Sequence, residues 1–204
     1  MKYRVPDALF PSDNDYGIPN LRIERQADFA DLPIRGWGSV ARKNRMRGTW
    51  HFYVEDAKFS ALWKHPASIL ETKCIGTVEP NFSTDDQMPL AVALYRIYQK
   101  RWLARYWQQY ELPVWVDLYV APPFYKYNLM GVPEGWRSYA TSATDARLDL
   151  LREHASLAIE HAGMNPIRFM VYGGGNKVKE LCGRNDWIHV PEARNASRKL
   201  TTDK

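Results

Sequence analysis

The stretch VWVDLYV (residues 114–120) alternates Val114, Val116, Leu118 and Val120 with Trp115, Asp117 and Tyr119. Successive side chains of a strand point to opposite faces, so these residues read as a strand with one aliphatic face and one face mixing aromatic and ionisable groups. IRFMVYG (167–173) repeats the division, with Ile167, Phe169 and Val171 opposite Arg168, Met170 and Tyr172. In TWHFYVED (49–56), His51, Tyr53 and Glu55 oppose Phe52, Val54 and Asp56. In CIGTVEPNF (74–82), the same rule sets Cys74, Gly76 and Val78 against Ile75, Thr77, Glu79 and Asn81, which gives Val78 to the aliphatic face and Glu79 to the polar one.

Outward from these segments, strand-like and helix-like stretches alternate. Strands are expected at 49–55, 74–79, 114–120, 138–142, 167–172 and 187–190, and helices at 57–70, 86–110, 144–162 and 176–182. This order indicates an α/β domain with a mainly parallel sheet. A sheet covered by helices on both sides would make both strand faces apolar. The mixed second face favours a small or incomplete β/α barrel with a polar interior and its helices outside, the alternative being a doubly wound, mainly parallel sheet.

The longest helix places Met88, Ala91, Tyr95, Tyr98, Trp102 and Tyr106 at three- and four-residue steps, a stripe expected to face the core. Arg101 and Arg105 border that stripe, whereas Arg96 and Lys100 lie away from it and are expected to pair with helix neighbours. Gly163 is the expected stop of the 144–162 helix. The first 33 residues, punctuated by Pro6, Pro11, Gly17, Pro19 and Pro33, read as a loop-rich arm, residues 34–192 as a single domain, and residues 193–204 as a polar tail.

The chain has 204 residues, 45% of them hydrophobic, enough for one sizeable core. Its two cysteines, Cys74 and Cys182, show no paired spacing with histidine, so they signal neither a disulfide framework nor a zinc site, and a reducing cytoplasm is the expected setting. No run is long and apolar enough for a membrane role, and acids and prolines fill the N-terminus where a secretory leader would be apolar. The net charge of +5 is compatible with nucleic acid or another anionic partner.

Active residues of parallel α/β folds gather at the carboxyl ends of strands. There, Glu55, Glu79, Asp117 and Tyr172 share the expected inward parity. Several carboxylates in one cavity repel, which raises a pKa or recruits a cation such as Mg²⁺, so the cluster fits either general acid/base chemistry or a divalent metal site. YGGGNK (172–177) follows a strand and opens a helix, where the amides of Gly173, Gly174 and Gly175, with Lys177, would suit a phosphate; a turn needing positive φ explains the same glycines. ARKNRMRG (41–48) is the densest basic run, and Arg42, Lys43, Arg45 and Arg47 suit a nucleic-acid backbone as well as they suit a solvated loop. His51, the one histidine combining a strand position with inward parity, reads as a satisfied core residue before a ligand.

Together HFYVEDAKFSALWKHP (51–66), VEPNFSTDDQMP (78–89), YRIYQKRWLARYW (95–107) and VYGGG (171–175) resemble the domain-of-unknown-function family 4417, over roughly residues 35–175. The family pattern has paired acids where Glu55 and Asp56 stand, and Pro-Asp-Phe-Ser where this chain reads Pro80, Asn81, Phe82 and Ser83. The Asn81 departure removes a carboxylate from that position and leaves Glu79 as its neighbouring substitute. The resemblance implies a phage, plasmid or other mobile-element context and assigns no activity. Two functions are therefore expected. The first is an enzyme whose carboxylate-lined pocket acts on a nucleotide or nucleic acid. The other is a non-catalytic accessory protein that engages nucleic acid, or a host or phage protein, through the basic run at 41–48.

Overall fold

A computed structural model of the chain describes residues 9–28, 30, 32–39 and 46–192. Seven parallel strands, β1 (Ile34–Gly36), β2 (Thr49–His51), β3 (Gly76–Val78), β4 (Val114–Asp117), β5 (Ser138–Ser142), β6 (Arg168–Tyr172) and β7 (Ile188–Val190), pair strictly in sequence order. Parallel neighbours need a crossover between them. α1 (Leu90–Gln108), the single turn α2 (Tyr125–Asn128), α3 (Leu148–His161) and α4 (Asn176–Arg184) supply four of these connections. Sequential parallel order is the topology of a β/α barrel, and the sheet curls far enough that the His51 ring of β2 meets the Tyr172 ring of β6 at 4.3 Å. No pairing joins β1 to β7 among the described residues, so the barrel is incomplete.

Strand register decides which side chains share a face, because directly paired residues point the same way. His51, Trp115, Ala140 and Met170 fall on the inner face through the pairings Gly36↔His51, Val78↔Trp115, Asp117↔Ala140 and Ala140↔Met170. The interior is filled chiefly by apolar groups: Tyr53, Val78, Trp115, Ala140, Met170 and Val190 form one buried cluster. That corrects two expectations. The inside of the barrel is packed rather than polar, and in β3 it is Val78 that points inward while Glu79 takes the helix-covered side. The aliphatic faces of β4 and β6, with Val114, Val116, Phe169 and Val171, pack outward with Leu151, Ala155 and Ala158 of α3, as the alternation predicts.

The 57–70 segment forms three short 3-10 stretches, Asp56–Lys58, Ser60–Trp63 and Pro66–Thr72, instead of one α-helix. Pro66 supplies no amide to a continuing helix, and His65 before it adopts a non-helical φ of −134°. These stretches seat Phe59, Leu62 and Ile69 in a second outer core with Trp50, Phe52, Trp102 and Trp107. α3 ends as expected at Gly163, whose φ of +63° and amide bond to the Glu160 carbonyl close the last turn.

On α1 the expected stripe is buried only in part: Trp102 is in the core and Met88, Tyr98 and Tyr106 pack against it, but the helix also buries residues outside the stripe. Tyr95 and Ala91 are exposed and Tyr98 half-buried, while Ala93, Ile97, Lys100, Arg101, Ala104 and Gln108 are buried. The arm then closes the amino end of the barrel. The amide of Leu21 bonds to the Gly131 carbonyl at 2.7 Å, that of Ala27 bonds to the Val114 carbonyl at 3.0 Å, and Ser138 Oγ donates to the Ala27 carbonyl. Gln108 fixes the same arm by accepting from the Arg22 amide at 2.8 Å and donating to the Arg22 carbonyl at 3.0 Å.

Candidate functional site

At the carboxyl ends of β3 and β4, two ion pairs lie side by side inside the protein. Arg101 pairs with Glu79, both fully buried, and its remaining donors reach the carbonyls of Met130 (3.1 Å) and Asn128 (2.6 Å). Lys100 donates to Asp117 Oδ2 (3.1 Å) and to the Asp117 carbonyl (2.8 Å). The two pairs are joined where the Asp117 amide donates to Glu79 Oε2 at 3.1 Å. Adjacent positions on α1 thus send one cation to each strand end. Burial raises the Glu79 and Asp117 carboxyls above their ordinary range, against the pull of Arg101 and Lys100.

On the inner side of the sheet, the Tyr53 hydroxyl joins this network by donating to Asp117 Oδ1 at 3.0 Å. Tyr53 in turn stacks on Tyr172 with ring centres 5.5 Å apart and planes 14° apart, and His51 packs against both rings. His51 Nδ1 accepts the Tyr53 amide at 3.3 Å, so the imidazole is a buried, bonded core group. Burial pushes its pKa down to about 4, which keeps it neutral near pH 7. Tyr172 is the half-buried member of this three-ring wall, at the end of β6.

The expected four-residue cluster is only partly assembled. Asp117 and Glu79 are neighbours, but each is neutralised by a cation from α1, and Glu79 comes from the helix side of the sheet. Tyr172 joins through Tyr53. Glu55 is exposed in the turn after β2, and its neighbour Asp56 accepts from the Ser83 amide (3.1 Å) and hydroxyl (2.8 Å), tying that turn to the loop after β3. No group of three or more His, Cys, Asp or Glu among the described residues has the arrangement of a metal site.

The glycine turn is differently used as well. Asp145 Oδ1 accepts from the amides of Gly175 (2.8 Å) and Val178 (3.0 Å), and Oδ2 from that of Lys177 (3.5 Å), so the first amides of α4 hold a carboxylate from the chain itself. These bonds hold the Asp145 carboxyl below its usual range. A Cβ on Gly175 would lie 2.6 Å from Asp145 Oδ2, which explains that glycine by close approach. Gly173 and Gly174 have φ of +86° and +71° and meet the positive-φ reading of the turn. Of the basic run, Arg47 is exposed two residues before β2, and Arg42, Lys43 and Arg45 lie outside the described residues.

Sequence reasoning missed Lys100, Arg101, Asn128 and Tyr53 as members of the network, because a cation on a helix reads as a solvated group. It also missed His154. Fully buried on α3, His154 contacts Thr141 Oγ1 through Nδ1 at 2.8 Å, and its Nε2 has no partner among the described residues. Burial, reinforced by Lys100 and Arg147, lowers its pKa to about 4. A base whose folded pKa is depressed contributes stability that is complete above its unfolded pKa of about 6.5 and declines as pH falls through the interval down to about 4. Urea midpoints measured between pH 7 and pH 4 should fall steadily, and less so for His154→Gln. Parallel profiles for the two proteins would remove His154 from this explanation.

No helix among the described residues is long and apolar enough to cross a membrane. No solved structure matches this chain. Among curated proteins it is similar to the Gene 1 protein of Mycobacterium phage D29, 28% identical over 132 residues covering 62% of this chain and 48% of that protein. The Gene 1 protein of Mycobacterium phage L5 is similar at 29% over 132 residues, covering 62% of this chain and 56% of that protein. The chain spans about half the length of these relatives. The model of the domain-of-unknown-function family DUF4417 matches residues 10–147, from the arm through β5, and the chain belongs to that family.

Proposed function

We propose that the protein binds a nucleotide, or one base of a nucleic acid, at the carboxyl-end mouth of the barrel, with the base stacked against Tyr172. The observation that carries this reading is the ring wall of His51, Tyr53 and Tyr172, whose half-buried outer member stands at the strand ends. Aromatic faces accept any base, and stacking supplies about 1–3 kcal/mol per base. The wall is held rigid from behind, because Tyr53 is tied to Asp117, and Asp117 to Lys100. In this reading Glu79 and Asp117 are positioning groups rather than acid/base catalysts: each is saturated by a cation and by backbone donors, leaving neither free to move a proton to a ligand. The phosphates would extend to solvent, since the α4 amides are occupied by Asp145.

Titration with nucleoside monophosphates and with a short single-stranded oligonucleotide, followed by intrinsic fluorescence, tests the proposal. Tyr172→Ala should weaken binding by about tenfold or more, and Tyr172→Phe should retain it. Equal affinity of the wild type and Tyr172→Ala would end the stacking reading. If oligonucleotide affinity instead falls steeply with salt and the slope flattens when Arg42, Lys43, Arg45 and Arg47 are replaced, contact runs through the basic segment.

A further inference from the structure

A concavity lies on the outer side of the barrel, between α2 and the carboxyl end of α3, with a volume of about 690 Å³. That is within the range of small-molecule sites, which combine an apolar surface with a few polar groups that fix orientation. Its apolar wall comes from Tyr125 and Leu129 on one side and Leu157 and Ala162 on the other. Its polar side chains include Lys126, His161 and Asn165 together with two acids. Glu134 and Glu160 line it, both exposed, and neither has an ion pair or hydrogen bond from its carboxylate among the described residues.

Neither basic side chain that lines the recess forms an ion pair with these acids among the described residues. Lys126 also lines the concavity, but its ammonium lies 4.8 Å from the centre of the Tyr127 ring. Burial and Arg101 lower the His161 pKa, with Glu134 opposing them, and its Nδ1 is engaged with the Tyr139 hydroxyl at 2.9 Å. The end of α3 adds the negative pole of its helix dipole. In a chain of net charge +5, this is an acid-rimmed, partly apolar recess.

We infer that the α2–α3 recess is a binding site for a small organic amine, its apolar body against Tyr125, Leu129 and Leu157 and its ammonium between Glu134 and Glu160. An anionic ligand such as a nucleotide would be repelled here, so the site is separate from the barrel mouth in both place and chemistry. Phenethylamine and phenylpropionate share an aromatic body and carry opposite charges, and titration of each into the full chain, followed by NMR chemical shifts, tests the inference. Phenethylamine should give saturable shifts at millimolar concentration and phenylpropionate none. Glu134→Gln combined with Glu160→Gln alters only exposed side chains and should weaken phenethylamine about fivefold. Leu157→Trp, which fills the recess, should abolish its binding in a protein whose circular dichroism remains that of the wild type. Absence of saturation with phenethylamine, equal affinity for phenylpropionate, or indifference to the double substitution would each overturn the inference.

Discussion

Replacing Glu79 with Gln should destabilise the protein by about 3–5 kcal/mol, the usual consequence of removing one partner from a buried ion pair. In a domain of this size the thermal midpoint should fall on the order of 10 °C. Glutamine keeps an acceptor for the Asp117 amide but leaves the Arg101 guanidinium fully buried without a counter-charge. The two carbonyls that Arg101 also meets cannot replace that charge. Glu79→Leu with Arg101→Met removes both charges at similar volume and should recover much of the loss, as apolar replacement of a buried pair commonly does. The alternative is a carboxylate cluster strained by mutual repulsion for catalysis, in which neutralising one acid relieves that repulsion. A Glu79→Gln variant as stable as the wild type, or more stable, would revive that alternative.

Gly131→Ala should cost about 3 kcal/mol and loosen the N-terminal arm. The residue has φ of +72°, a region where a side chain costs of order 1 kcal/mol or more. A Cβ there would also overlap the Pro19 carbonyl, and overlap with backbone costs a further 1–3 kcal/mol because it is relieved only by moving the chain. The arm cannot retreat without losing the bond from the Leu21 amide to the Gly131 carbonyl and uncovering Ile18 and Leu21, which are buried. Limited proteolysis within residues 9–28 should therefore accelerate in the variant well before the barrel unfolds. Cleavage at the wild-type rate would show that the arm is not held at Gly131.

Much of the architecture was legible because alternation and strand order are local signals. β5 appears at its expected residues, and the outward faces of β4 and β6 follow from Val114, Val116, Phe169 and Val171. β3 was misread because it is only three residues long and its one large aliphatic residue, Val78, points into the barrel, whose interior is as apolar as its outside. Apolarity could not tell the two faces apart there. On α1 the difficulty was the reverse: the buried face also carries Lys100, Arg101 and Gln108, so hydrophobic periodicity passed over them and drew the core stripe through Ala91 and Tyr95, which are exposed. β1 went unrecognised because Ile34, Arg35 and Gly36 carry no alternation long enough to register. The anion reading of the glycine turn named Gly175 and Lys177, whose amides do hold a carboxylate, but it missed Val178 and included Gly173, whose amide goes to the Val190 carbonyl; sequence spacing did not reveal that Asp145, thirty residues before Gly175, would supply the anion.

Sequential strand order also has a consequence for synthesis. Each strand from β2 onward pairs with the one made just before it, so the sheet can extend strand by strand as the chain emerges, without waiting for a distant partner. The arm is the exception. Ala27 leaves the ribosome before any strand, yet the Ser138 hydroxyl that binds its carbonyl follows 111 positions later. The arm, though made before every strand, is thus among the last elements to find its place, and until β5 is complete the growing sheet is open at its amino end.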